Sequence, residues 1–103
     1  MVWLRLTLFT PLPGQAAEVR RHLDDLEDTL STEQGYLLGG VFASAEASQE
    51  MGRFSLWRSQ EEADRAANLP HVLAVRSQIH NLIHPGHTER LAEVSGVRHN
   101  LPE

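Results

Sequence analysis

The chain has 103 residues, 41% of them hydrophobic, and a formal net charge of −5. That length supports one domain with a modest core and excludes two, and the apolar share excludes a disordered chain. There is no Cys, which excludes a disulfide framework and thiol chemistry, and no dense basic run to engage a nucleic-acid backbone.

The first predicted element is a strand from Val2 to Thr10. Leu4, Leu6 and Leu8 alternate with Trp3, Arg5, Thr7 and Phe9, so one face is aliphatic and the other mixes aromatic and polar groups. Such a strand is buried on both faces. Pro11 and Pro13-Gly14 end it. A helix follows from about Gln15 to Leu30, with Ala16, Val19, Leu23, Leu26 and Leu30 as its apolar stripe. Arg20, Arg21, Asp24, Asp25, Glu27 and Asp28 fill the rest and read as a solvated face.

Tyr36 to Ala45 reads as the second strand, and Gly39-Gly40 within it signals a bulge or a close backbone approach. Glu46-Ala47-Ser48-Gln49-Glu50 is a polar turn, and Arg53 to Arg58 pairs back as a hairpin. Ser59 and Glu62 form an S-x-x-E capping box, in which the hydroxyl and the carboxylate each satisfy a backbone donor at a helix start. That helix runs to about Ala67, with Ala63, Ala66 and Ala67 as a small-residue face. Asn68-Leu69-Pro70 interrupts it. Pro70 opens a continuation carrying Val72, Val75, Ile79 and Leu82, which His84-Pro85-Gly86 stops. Thr88 to Val97 is the last strand, and the tail from Arg98 to Glu103 is polar and frayed.

The order β-α-β-β-α-β predicts an α+β, ferredoxin-like layer: a four-stranded antiparallel sheet with helices on one face. The leucine face of the first strand is then left without a helix. A second copy of the chain, packed sheet against sheet, is expected to cover it. No apolar run approaches spanning length, and Met1 leads directly into the first strand, so neither a leader nor a membrane anchor is expected. The expected location is the cytoplasm, with neither nucleic acid nor membrane as partner.

The chain resembles the antibiotic-biosynthesis-monooxygenase-like (ABM) family of the dimeric α/β-barrel superfamily. The likeness covers nearly the whole chain and is sharpest over Leu56-Trp57-Arg58-Ser59-Gln60-Glu61-Glu62-Ala63 and Asn68-Leu69-Pro70. Pro13-Gly14 also fits. The resemblance implies the fold, the homodimer and a single domain over residues 1–103. Its members include cofactor-free quinone-forming oxygenases, haem-degrading enzymes and a signal-molecule isomerase. Haem-degrading members carry an Asn on the first strand, a Trp on the helix after the third strand and a His on the next helix. Those places fall here at Thr7, Ala66 and Arg76, so the axial imidazole and the aromatic wall are both missing.

The cofactor-free oxygenases hold a phenolic substrate between helices and sheet while its anion reacts with dioxygen. That chemistry needs a base near the phenol and a donor for the oxyanion. Arg5 and Thr7 lie on the strand face that would line such a pocket, and Trp3 and Phe9 could stack on a planar ring. Arg5 has a second reading, as the ion-pair partner of an acidic helix residue with plain core aromatics beside it. Imidazole titrates near neutral pH, which suits a general base, and His80 inside the helix is the first candidate. Arg5, Thr7 and His80 are therefore the expected catalytic group. Trp3, Phe9, His71 and Arg76 are the expected substrate-binding group. No cofactor is expected.

The leading expectation is a cofactor-independent monooxygenase acting on a small, planar, mostly apolar phenolic or quinol-like molecule. The alternative is a non-catalytic ligand-binding or stress-associated dimeric barrel whose pocket its own side chains fill. A third reading uses His80-x-x-x-His84-x-x-His87 as three metal-binding nitrogens, although the bland reading of this group is a helix C-terminus that favours positive charge. No metal is expected. Trp57 reads as a packing or interface residue, Glu89 and Glu93 as surface charges or dimer contacts, and His22 and His99 as exposed.

Overall fold

The alternation of leucines and polar residues near the N-terminus becomes strand β1 (Val2–Phe9), and the apolar stripe behind it becomes helix α1 (Ala16–Leu30). Strands β2 (Tyr36–Ala43) and β3 (Met51–Trp57) follow, then helices α2 (Gln60–Ala67) and α3 (Pro70–His80), and strand β4 (Thr88–Val94). A computed structural model describes residues 1–46, 49–98, 100 and 102. The expected turn at Ala47-Ser48, the exposure of His99 and the tail at Leu101 and Glu103 lie outside them.

The four strands form one antiparallel sheet in the order β2-β3-β1-β4. This is the ferredoxin-like α+β arrangement, with the second helical region broken into two at Asn68-Leu69-Pro70. Pro70 sits in the first turn of α3, where its missing N–H costs nothing. On β1 the residues Trp3, Arg5, Thr7 and Phe9 stand opposite Trp57, Ser55, Arg53 and Met51 of β3. Partners directly opposite share a face, and this is the face the helices cover. Val19, Leu23, Leu26 and Leu30 of α1, Ala63 and Ala66 of α2, and Val72, Val75 and Ile79 of α3 pack on it and are buried. The two alanines let α2 approach the sheet closely.

The other face carries Leu4, Leu6 and Leu8, set in register against Leu56, Phe54 and Gly52. Leu38, Gly40 and Phe42 continue it on β2. Among the described residues no helix covers it, and its leucines are only half-buried.

Of the two readings of Gly39-Gly40 the close approach holds, and two other local expectations are corrected. The bulge lies at Leu37, between Tyr36 and Leu38, and not at the glycines. Gly39 instead marks a close approach: a Cβ there would collide with the Tyr36 hydroxyl and the Glu27 carboxylate. Helix α3 ends at His80, with Asn81 as its C-cap, so Leu82 and His84 lie beyond it. Ile83 bridges to Pro11, and the His84 N–H donates to the Thr10 carbonyl at 2.9 Å. Glu27 is not on a solvated face but is 7% exposed.

At the start of α2 the Ser59 hydroxyl accepts from the Glu62 N–H at 3.2 Å, as expected of the cap. The Glu62 carboxylate does not return to the Ser59 backbone. It accepts from the Ser59 hydroxyl at 2.9 Å and from Arg58 at 2.6 and 3.1 Å. Those donors, Arg58 first, hold its carboxyl below the usual glutamate range. Among the described residues, no helix is long and apolar enough to cross a membrane.

Candidate active site

Because β1 puts Arg5, Thr7 and Phe9 on the helix-covered face, all three look into the space between sheet and helices. A narrow cavity of about 40 Å³ lies there. That is well below the range of ordinary small-molecule sites, about 300–1,000 Å³, so a ring-sized guest requires side chains to move. Leu23 and Leu26 of α1, Val72 of α3 and Trp57 of β3 supply apolar walls. Arg5, Thr7, Arg53, Arg76 and Glu89 supply the polar ones. A smaller recess of about 20 Å³ adjoins it, shares Thr7, Phe9, Arg76, Ile79 and Glu89, and adds His80, Ile83 and His87.

The floor is fixed by a buried polar network. Arg53 Nε donates to Glu27 Oε1 at 2.5 Å, and Arg53 Nη2 donates to Ser55 Oγ at 2.8 Å. Trp57 Nε1 donates to the same hydroxyl at 2.7 Å. Tyr36 Oη donates to Glu27 Oε2 at 2.6 Å, and its ring meets that of Trp57 edge-on at 5.4 Å. Burial pushes the Tyr36 phenol well above its usual range, and the Glu27 carboxylate pushes it the same way. Gly39 leaves the room in which these two oxygens meet.

At the mouth, Arg76 Nη2 of α3 donates to Glu89 Oε1 of β4 at 2.5 Å. His87 Nε2 lies 3.7 Å from the same oxygen, and the His87 ring stands edge-on to that of His80 at 4.9 Å. At the other end Arg5 Nη1 is 3.3 Å from Asp64 Oδ1 and 3.4 Å from the Ala63 carbonyl. Among the described residues, no group of three or more His, Cys, Asp or Glu side chains is arranged to hold a metal.

Residues 4–78 match the antibiotic biosynthesis monooxygenase family. The chain belongs to that family. Its fold is similar to that of Rv0793 from Mycobacterium tuberculosis, with a TM-score of 0.85 at 22% identity, over 94% of this chain and 98% of the other. SnoaB, a cofactor-independent oxygenase from Streptomyces nogalater, matches with a TM-score of 0.78 at 17% identity, over 99% and 98%. PA3566 from Pseudomonas aeruginosa matches with a TM-score of 0.79 at 19% identity, over 92% and 95%. At such identities the likeness is one of fold. No curated protein matches the sequence.

In this antibiotic biosynthesis monooxygenase family member, four of the seven expected site residues line one cavity: Arg5, Thr7, Phe9 and Arg76. His80 is exposed and lines the adjoining recess. Trp3 packs against the core and is not among the cavity-lining side chains. His71 is exposed on the first turn of α3, its Nε2 3.4 Å from Asp25 Oδ1, away from the cavity. The ion-pair reading of Arg5 finds its acidic helix residue in Asp64. Trp57 is 1% exposed and packs under the helices.

Sequence reasoning missed Arg53, Glu27, Glu89 and His87 as parts of this site. A signal existed for the first two. Arg53 alternates with Ser55 and Trp57, and Glu27 stands four residues after Leu23, on the apolar stripe itself.

Proposed function

We propose that this chain is a cofactor-independent monooxygenase that oxidises a small, planar phenolic or quinol-like molecule with dioxygen. The observation that carries the reading is an apolar cavity whose Thr7 and Arg76 also line the recess of His80 and His87. A phenol lying with its ring between Phe9 and the apolar walls would present its oxygen to that end. SnoaB, a cofactor-independent oxygenase of the same fold, supports the reaction class.

In this reading His80 takes the phenolic proton, and Thr7 Oγ1 and the Arg76 guanidinium hold the oxyanion as it forms. The electron-rich ring carbon para to that oxygen bonds to dioxygen, and the proton held by His80 passes to the peroxide. The hydroperoxide then loses its ring hydrogen and its outer OH together as water. One phenol and one dioxygen become one quinone and one water. The apolar walls keep bulk water from the anion. Arg53 and its network hold the cavity floor and do not touch the reacting atoms.

The proposed assembly is a homodimer joined through the helix-free sheet face, with one domain per chain. The proposed location is the cytoplasm. A second reading, a non-catalytic ligand-binding dimer, draws on one observation: each cavity guanidinium already has a carboxylate near it.

Oxygen consumption by the purified chain with a panel of phenols and quinols tests the proposal. One dioxygen should be consumed per quinone formed, with no metal or flavin added. His80→Ala should lower kcat by about a hundredfold or more, the usual worth of a positioned base. Oxygen uptake no faster than in buffer with every phenol would leave the ligand-binding reading.

A further inference from the structure

We infer that Glu89 is a latch with two partners: it holds Arg76 across the cavity mouth in the resting chain, and it passes to His87 when Arg76 swings away to admit a guest. The inference rests on the reading above for what the freed guanidinium then does, since Arg76 is there a donor to the oxyanion.

The site needs a moving part. The cavity of about 40 Å³ and the recess of about 20 Å³ are each too small for a ring. Thr7, Phe9, Arg76, Ile79 and Glu89 line both spaces and so stand between them. Phe9 and Ile79 are buried in the core, and Thr7 sits on a strand paired on both sides. Arg76 and Glu89 differ. Their side chains are 34% and 42% exposed, and their bond runs from α3 to β4, an edge strand of the sheet. Swinging Arg76 outward joins the two spaces and vacates the room that its own side chain fills.

The other guanidiniums on the wall do not serve. Arg53 is buried against Glu27 and Ser55, so moving it would strand a charge. Arg5 lines the main cavity but not the recess, so its movement leaves the two apart. A part-exposed pair such as Arg76–Glu89 opens at little cost, because water takes over both charges.

The second partner is in place. His87 Nε2 lies 3.7 Å from Glu89 Oε1, the same oxygen to which Arg76 Nη2 donates at 2.5 Å. An imidazole can gain its charge between about pH 5 and 8. A charged His87 attracts that oxygen and repels the guanidinium beside it, so it weakens the hold on Arg76 from both sides. The other titratable or charged groups around His87 are Arg76 and His80 of α3, His84 beyond it and Glu50 ahead of β3. Among the described residues, Glu89 is the carboxylate within ion-pair reach of His87.

Acrylamide quenching of Trp57 fluorescence reads the opening directly, because Trp57 lines the cavity and is 1% exposed. The full chain would carry Trp3→Phe, which leaves Trp57 as its sole indole. Quenching should be weak at about pH 8 and several-fold stronger at about pH 5.5. Glu89→Gln and Arg76→Gln, each of which undoes the latch, should both give the stronger quenching at either pH. His87→Gln should keep the weak quenching at either pH, whereas His84→Gln should behave as the parent. A general loosening in acid would survive His87→Gln. Equal quenching in the parent and both latch variants, or an acid rise that His87→Gln does not remove, would overturn the inference. Quenching that follows the latch, with no oxygen consumption on any phenol, sinks the oxidation and leaves the latch. Oxygen consumption on a phenol, with quenching that neither the variants nor pH move, does the reverse.

Discussion

Arg53 of β3 and Glu27 of α1 face each other beneath the cavity, with Nε 2.5 Å from Oε1 and neither side chain more than 9% exposed. Two opposite charges in so dry a place are held less by their mutual attraction than by the neighbours that use their remaining hydrogen-bonding capacity. Ser55 takes a second donor of Arg53, and Tyr36 donates a hydrogen bond to the second oxygen of Glu27. The network thus ties α1 to β2 and β3, and it sets the cavity floor that the proposed chemistry needs rigid.

Glu27→Ala should destabilise the chain by about 3–5 kcal/mol, because it leaves the Arg53 charge buried and uncompensated. Against a typical total of about 5–15 kcal/mol this is a large share. The double variant Glu27→Leu with Arg53→Met should recover most of the loss, since no unpaired charge remains. Urea midpoints of the three chains check both. A single variant as stable as the parent would mean that water reaches Arg53.

Tyr36 is the sole tyrosine of the chain, so tyrosinate absorbance reads it alone. Its folded pKa is raised, first by burial and then by Glu27. The neutral phenol is therefore the form the fold favours. Its contribution is fully present below the unfolded value of about 10. It is lost as the pH rises from there through the folded value. The tyrosinate signal should appear late and together with loss of structure. Tyr36→Phe should remove this alkaline loss, at a cost near neutral pH of about 1.5–3 kcal/mol for the bond to Glu27. A phenol that titrates at its ordinary value in the folded chain would contradict the burial.

What could be read from the sequence follows from periodicity. The alternation in β1, the stripe of α1, the Ser59 cap and the Pro70 restart each depend on neighbours within a few residues, so a single sequence carries them. The cavity-facing set Arg5, Thr7 and Phe9 came from the same alternation. What failed was long-range or terminal. The charge of Glu27 reads as part of a solvated face, while its partner Arg53 lies 26 residues away. His80 and His84 are spaced as one helix turn, but α3 stops at His80, and it is His87 that reaches the His80 ring. Trp3 shares the cavity's face yet packs on the core, since position along a strand decides which part of a face is open.

Glu62 links helix capping to acid stability. Its folded pKa is lowered, first by the bond from Arg58 and then by that from Ser59. Its contribution is therefore present above the ordinary glutamate value of about 4.3 and lost as the pH falls through the folded one. Urea midpoints taken across that acid range should fall for the parent and fall less for Glu62→Gln. Ser59→Ala, which removes the cap itself, should cost about 1 kcal/mol at neutral pH. A parent and a Glu62→Gln chain with parallel acid profiles would remove Glu62 as the cause.

The helix-free face makes the last prediction. Leu6 and Phe54 stand directly opposite each other in its middle strands, with Leu4 and Leu56 beside them. Burying such side chains is worth about 1.5–3 kcal/mol each relative to leaving them in water, and on this face only a partner can complete the burial. Light scattering at micromolar concentration should therefore give the parent chain the mass of two copies. Leu6→Asp or Phe54→Asp places a carboxylate at the centre of that contact, where it would be desolvated and unpaired. Either variant should give the mass of one copy, with weakened stability. Leu37→Asp, at the bulge where the side chain is already 53% exposed, should leave the mass of two copies unchanged. A parent chain that stays folded at the mass of one copy would sink the argument, because the leucine face would then tolerate water.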